Sequence, residues 1–194
     1  MAIIPFPAVV PASVGLQLVS NTATSKSPFD HTVQTSERPG TLWHASLSFT
    51  KVAPAQARVL IAFLARLRGQ SGRFYLYDHT QPTPRGSITG APIVAGAAQA
   101  GSVITTKGWT GSLLDGDMIG IGGELKLVTG DVVGAGATPV SIAFEPPLRA
   151  APLDGSEIVI NKPAAKFKLT GDNQAAWRVH PYNYDLHLIG EETP

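Results

Sequence analysis

The turn RGQSGR sets Ser71 in a G-x-S-G arrangement, and a serine so placed raises the question of an activated nucleophile. A nucleophile elbow needs G-x-S-x-G on a turn that leads from strand to helix. Here the second spacer is missing and the order runs from helix into strand, so Ser71 reads as a small polar turn residue. IGIGGEL supplies Gly120, Gly122 and Gly123. A dinucleotide fingerprint requires a further glycine where Leu125 stands, then a helix and an acidic residue some twenty positions on. The glycines read instead as a tight turn between two short strands, residues 119–121 and 125–127.

Asp115 and Asp117 in LDGDMI offer two hard oxygen ligands. Only Glu124 lies nearby, which falls short of the regular oxygen spacing of a calcium loop, and an Asp-Gly-Asp turn entering a strand accounts for them. His31, His44, His79, His180 and His187 form no H-E-x-x-H or other close ligand pair, and most sit at polar positions of strands or loops. The 14 acids show no spacing that singles out a glycosidase pair. No catalytic, cofactor-binding or metal-binding residue is therefore nominated, no ligand-binding residue is assigned, no cofactor is expected, and the chain is expected not to be an enzyme. A hydrolase would require an acid, a base and a nucleophile converging in a cleft.

Among the aromatics, Trp43 alternates into a core face, while Trp109 and Trp177 border turns, where they serve as core edges or as exposed stacking platforms; core is the preferred reading. Tyr75, Tyr77, Tyr182 and Tyr184 line up on strand faces and suit a protein interface, where tyrosine is enriched.

These residues are carried by a mostly alternating pattern broken by 20 glycines and 16 prolines, which predicts a mainly β protein. Val14, Leu16 and Leu18 share one side of a strand, and residues 20–41 form a polar long loop or extended hairpin. In TLWHASLSFT, Trp43, Ala45, Leu47 and Phe49 face one way and His44, Ser46, Ser48 and Thr50 the other. Leu60, Phe63, Leu64 and Leu67 then fall at helical spacing after Pro54, predicting one helix over residues 54–68, with Arg66 and Arg68 complementing its dipole and Gly69 ending it in a left-handed conformation. Phe74 and Leu76 alternate against Tyr75 and Tyr77 in the strand that follows. Beyond HTQPTPRG the texture becomes rich in Gly, Ala, Val and Ile, and residues 81–163 read as an inserted small barrel or sandwich of short strands. Residues 164–170 and 182–189 resume the first pattern, so an outer domain, residues 1–80 and 164–194, is expected to close with strands from both ends of the chain.

The 194 residues suffice for one substantial domain with a smaller insert. A formal charge of +1 supplies no field to gather nucleic acid, and the 15% of charged residues suits a surface that neighbours cover. The absence of cysteine removes disulfides and thiolate zinc sites and fits a reducing cytoplasm. At the N-terminus, Pro5, Pro7 and Pro11 interrupt any signal-peptide core, so an extended arm is expected. No stretch approaches the roughly 20 apolar residues of a membrane span, and no membrane insertion is expected.

The order of parts, WHASLSFT, then AFLARLRGQSGRFYLYD, the β insert from GDMIGIGGELKLVTG to LDGS, and finally FKLTGDNQAAWRVHPYNYDLHLIGEE, resembles the tail-tip proteins of tailed bacteriophages. It resembles most their distal tail proteins, over residues from about 37 to the end. That resemblance implies a β-sandwich or split-barrel belt domain with one packed helix and an inserted barrel of the oligonucleotide/oligosaccharide-binding (OB-like) type. It implies a structural virion protein, made in the host bacterial cytoplasm and placed at the distal end of the tail as a homo-oligomeric ring, a hexamer, between the tail tube protein and the hub or baseplate proteins. It transfers no catalytic residue. The alternatives are a tail-tip module that binds saccharide or another surface ligand through Trp109, and another tail ring or tube-associated protein.

Overall fold

The computed structural model of the protein describes residues 3–172, 176–180 and 183–193. Strand accounts for 54% of it and helix for 9%, so the fold is mainly β, a sandwich and barrel architecture with one helix. In chain order, β1 (Ser13–Val19) leads through the hairpin of β2 (Thr22–Lys26) and β3 (Val33–Glu37) into β4 (Leu42–Val52), the helix α1 (Pro54–Leu67) and β5 (Phe74–Tyr77). There follow β6 (Ile88–Val94), β7 (Gly101–Leu113), β8 (Met118–Ile121), β9 (Glu124–Val128), β10 (Val132–Gly136), β11 (Val140–Leu148) and β12 (Ile158–Val159). The chain closes with β13 (Ala164–Leu169), β14 (Trp177–His180) and β15 (Asn183–Glu192).

The first sheet runs β1-β4-β15-β13-β5, with β14 added to β15, so it joins strands from both ends of the chain. The alternation of β4 buries Trp43, Ala45, Leu47 and Phe49 as expected, and α1 lays Ala57, Leu60, Phe63, Leu64 and Leu67 against them in one core. An edge-to-face chain of rings continues that core. Phe63 meets Phe6 of the N-terminal arm at 5.3 Å and Phe74 at 5.5 Å between centroids. The arm is fixed as well by the Ile4 amide, which donates to the Arg73 carbonyl at 2.8 Å.

The helix ends one residue earlier than predicted. Arg68, not Gly69, is the left-handed cap (φ 52°), and its amide donates to the Ala65 carbonyl, leaving Arg66 as the basic residue of the last turn. Gly69 then also takes a positive φ of 66°, where an added Cβ would stand 2.4 Å from the Asp172 carboxylate that receives the Gln70 amide. The positive φ and the carboxylate's close approach together reserve position 69 for glycine, next to the left-handed arginine.

The second sheet runs β10-β7-β11-β9-β8-β12, with β6 also on β7. A bridge between Ile93 and Glu157, with the Val94 amide donating to Ser156 at 2.9 Å, brings β12 back to β6 and nearly closes the sheet into a barrel. Its interior holds Ile104, Trp109, Ile119, Ile121, Ile142 and Phe144. The alternation in this region predicts Val103 and Trp109 on one face of short strands. Instead β7 is a single strand of 13 residues whose inward face changes phase, from Ile104 and Thr106 to Trp109. The change falls at Gly108 (φ 87°), where the β6 register also shifts, and it leaves Val103 exposed.

Candidate interaction surface

Each residue weighed for chemistry has a place in this frame. Ser71 lies in an exposed helical turn, where its carbonyl, with those of Gln70 and Gly72, accepts from the Arg73 guanidinium. Gly122 and Gly123 take φ of 59° and 84° between the paired Ile121 and Glu124, the backbone of a two-residue hairpin turn. Asp117 is buried and receives the amides of Arg85 and Leu114 at 2.9 and 2.8 Å, so it pins the entry of the insert to its own turn. Asp115 uses its amide to reach Asp131, and no cluster of three metal-type ligands occurs among the described residues.

The histidines are dispersed: His31 in a hairpin tip, His44 at 3.9 Å from Glu191, His180 at 3.1 Å from Asp185, and His187 at 3.1 Å from Ser46. His79 is the histidine that does not sit at a solvated position. Its ring stacks on Tyr77 at 4.2 Å, lies 5.7 Å from Phe6, and its buried Nδ1 has no hydrogen-bond partner. Burial lowers its pKa, against the Tyr77 backbone and Asp78, which raise it.

The tryptophans divide. Trp109 is 1% exposed and its indole donates to Thr106 Oγ1 at 2.9 Å inside the barrel, so it cannot serve as the saccharide platform considered above. Trp177, expected in a core, is instead 48% exposed on β14. Of the tyrosines, Tyr75 is exposed, Tyr77 carries His79, Tyr184 packs against the first core, and Tyr182 lies outside the described residues.

The two sheets are joined through the β8–β9 hairpin, which is buried on both faces. Leu125, Met118 and Leu127 belong to the first core, whereas Ile119, Ile121 and Val128 belong to the barrel. The Trp43 indole crosses this boundary to the Leu125 carbonyl at 2.9 Å. Beside it, Arg149 grips Glu192 with both guanidinium nitrogens, at 3.0 and 2.6 Å, and reaches the Thr41 carbonyl. Glu192 also receives the Trp43 amide. Burial works against the Arg149 charge, but the hydrogen bonds and charge of Glu192 raise its pKa overall, so it stays a cation. Lys126, fully buried opposite Ile119, lies 2.6 Å from Glu124 and 2.8 Å from the Pro147 carbonyl. Burial lowers its pKa and Glu124 opposes the shift. Sequence reasoning missed this network because ELKLV alternates as a half-exposed strand, which turns Lys126 to solvent unless a second wall covers that face.

What remains open to solvent is backbone. The β2–β3 hairpin forms a sheet of its own, almost wholly exposed, and leaves the first sheet at the end where Val19 pairs with Leu42. The β14–β15 ribbon leaves it at the other end of β4, where Tyr184 pairs with Val52. Among the described residues β14 pairs only with β15, and Trp177 and Val179 are exposed along it. Ser48, Thr50, Arg178, Asp185 and His187 surround Trp177 in a groove of about 420 Å³. A second groove, of about 680 Å³, lies at the root of the β2–β3 hairpin against the end of β11. No helix among the described residues is long and apolar enough to cross a membrane. No protein-family model matches the chain, and no curated protein is significantly similar to it.

Proposed function

We propose that the chain is a structural subunit of a bacteriophage tail: a distal tail protein that assembles as a six-membered ring, with the tail tube protein above it and hub or baseplate proteins below. The observation that carries this reading is the pair of exposed β ribbons at opposite ends of β4. Each offers short strand edges, unpaired among the described residues, to which another chain can add. A contact between either ribbon and a different surface of a neighbour is heterologous, the kind of contact that generates a ring when its rotation closes. Fusion of the barrel to the first sheet through β8–β9 and Arg149–Glu192 supports a rigid subunit, as a ring that joins a tube to a hub requires. In this reading the barrel is of the OB-like type and rides on the ring. The test is mass measurement and negative-stain imaging of the purified full chain. Six-fold rings support the reading, and a monomer at every concentration, alone and with tube protein, refutes it.

Trp177 supports a second reading, a surface-binding role. An exposed indole beside hydroxyl, carboxylate and guanidinium groups has the composition of a saccharide site. Indole fluorescence that stays unchanged across a panel of bacterial surface glycans would remove it.

A further inference from the structure

The tip of the β2–β3 hairpin is built to display one side chain. The Ser27 amide donates to the Thr32 carbonyl at 2.9 Å, Asp30 Oδ1 accepts from the amide and hydroxyl of Thr32, and the Phe29 amide donates to Ser27 Oγ. This closed set of bonds holds Phe29 outward at 95% exposure, the most exposed large apolar side chain described. Hydrogen bonds from Ser27 and then Thr32 hold the Asp30 carboxyl below its usual pKa, and Lys26 ends β2 on the other side of Phe29 in the turn.

At the root of the same hairpin, Pro39, Pro146, Pro147 and Leu148 wall the larger groove, with Glu37 and Arg38 beside them. Lys26, Asp30, Glu37 and Arg38 form no ion pair among the described residues, whereas Arg149, which also lines the groove, is paired with Glu192; setting Arg149 aside, each site offers one cation and one anion to the other. Five ladder pairs, from Thr22 with Glu37 to Lys26 with Val33, separate tip from root. At about 3.4 Å per residue the ring stands roughly 17 Å from its own groove and cannot fill it.

We propose that Phe29 of one copy seats in the groove of a second copy of this chain, formed by residues 37–41 and 146–149, with Lys26 and Asp30 meeting the second copy's Glu37 and Arg38. The proposal rests on the ring reading and specifies its contact. Tip and root are different surfaces, so the contact is heterologous and repeats from copy to copy. A buried aromatic anchor rimmed by charges is the usual make-up of an interface hot spot.

The test uses the full chain. Sedimentation across a concentration series compares the wild type with Phe29→Ala, whose fold is checked by circular dichroism. The expected result is a shift of at least about tenfold in the concentration at half-assembly. Lys26→Glu and Glu37→Lys are each expected to weaken assembly, and their combination to restore it. A benzophenone side chain at position 29, in an equal mixture of heavy-isotope and ordinary chains, is expected to cross-link to residues 37–41 or 146–149 of the other isotope. Assembly of Phe29→Ala at the wild-type concentration, or cross-links elsewhere, overturns the Phe29 contact and leaves the ring standing. A wild type that never assembles overturns both.

Discussion

Substitution of Glu192 by Gln tests how the barrel is held to the first sheet. The Glu192 side chain is 1% exposed and receives two Arg149 nitrogens and the Trp43 amide. Glutamine keeps the volume but removes the charge, and its NH2 turns a donor toward the guanidinium. Breaking a buried pair by neutralising one partner costs about 3–5 kcal/mol. Arg149 keeps 22% of its side chain in solvent, which lowers the expected loss to about 2–3 kcal/mol. That is a large share of the roughly 5–15 kcal/mol by which domains are stable, and at a slope near 2 kcal/mol per molar it lowers the urea midpoint by about 1–1.5 M. The assay is urea unfolding followed by indole fluorescence, with Trp43 reporting the first core and Trp109 the barrel. The doubly apolar variant Arg149→Met with Glu192→Leu should recover part of the loss, because it leaves no unpaired buried charge although the Trp43 amide loses its acceptor. A Glu192→Gln unfolding free energy within about 0.5 kcal/mol of wild type would refute the role assigned to this pair.

Other substitutions probe separate parts of the account. Leu64→Asp, which buries a carboxylate in the first core, is expected to cost more than about 5 kcal/mol and abolish soluble folded protein, whereas Ser71→Ala leaves stability and assembly unchanged in sedimentation. Gly134→Ala would set a Cβ 2.4 Å from the Trp109 ring and should destabilise by about 1–3 kcal/mol in thermal melts, against little change for Gly130→Ala, whose Cβ meets nothing within 4 Å. His79 has a folded pKa below 6.5. The unfolded chain therefore binds the proton first as pH falls through 6.5, and stability is lost on the acid side of that value. Melting temperatures measured from pH 7.5 to 5 should fall more steeply for wild type than for His79→Phe, and parallel curves would show that His79 contributes nothing to the slope.

The sequence-level features that proved legible are those that depend on local period. Leu60, Phe63, Leu64 and Leu67 mark a helix because one stripe of it is buried, and Trp43 to Phe49 mark a strand because one face is. Within the polar run at 20–41, Thr22–Lys26 and Val33–Glu37 form an extended hairpin whose side chains are almost all exposed. Features that depend on a second wall were not legible. Lys126 is buried because both faces of β8–β9 are covered, and Trp109 is inward because Gly108 shifts the phase of a strand whose length the pattern does not mark. Trp177 is outward because β14 extends past the edge of the core, a matter of topology that its neighbours in sequence do not encode. Arg149 and Glu192 stand 43 positions apart, and no local spacing marks them as partners.

Negative-stain class averages of the purified full chain at high concentration, with and without tail tube protein, test the proposed closed ring most directly. Rings of six-fold symmetry are expected. Particles that remain monomeric under both conditions would contradict the proposal.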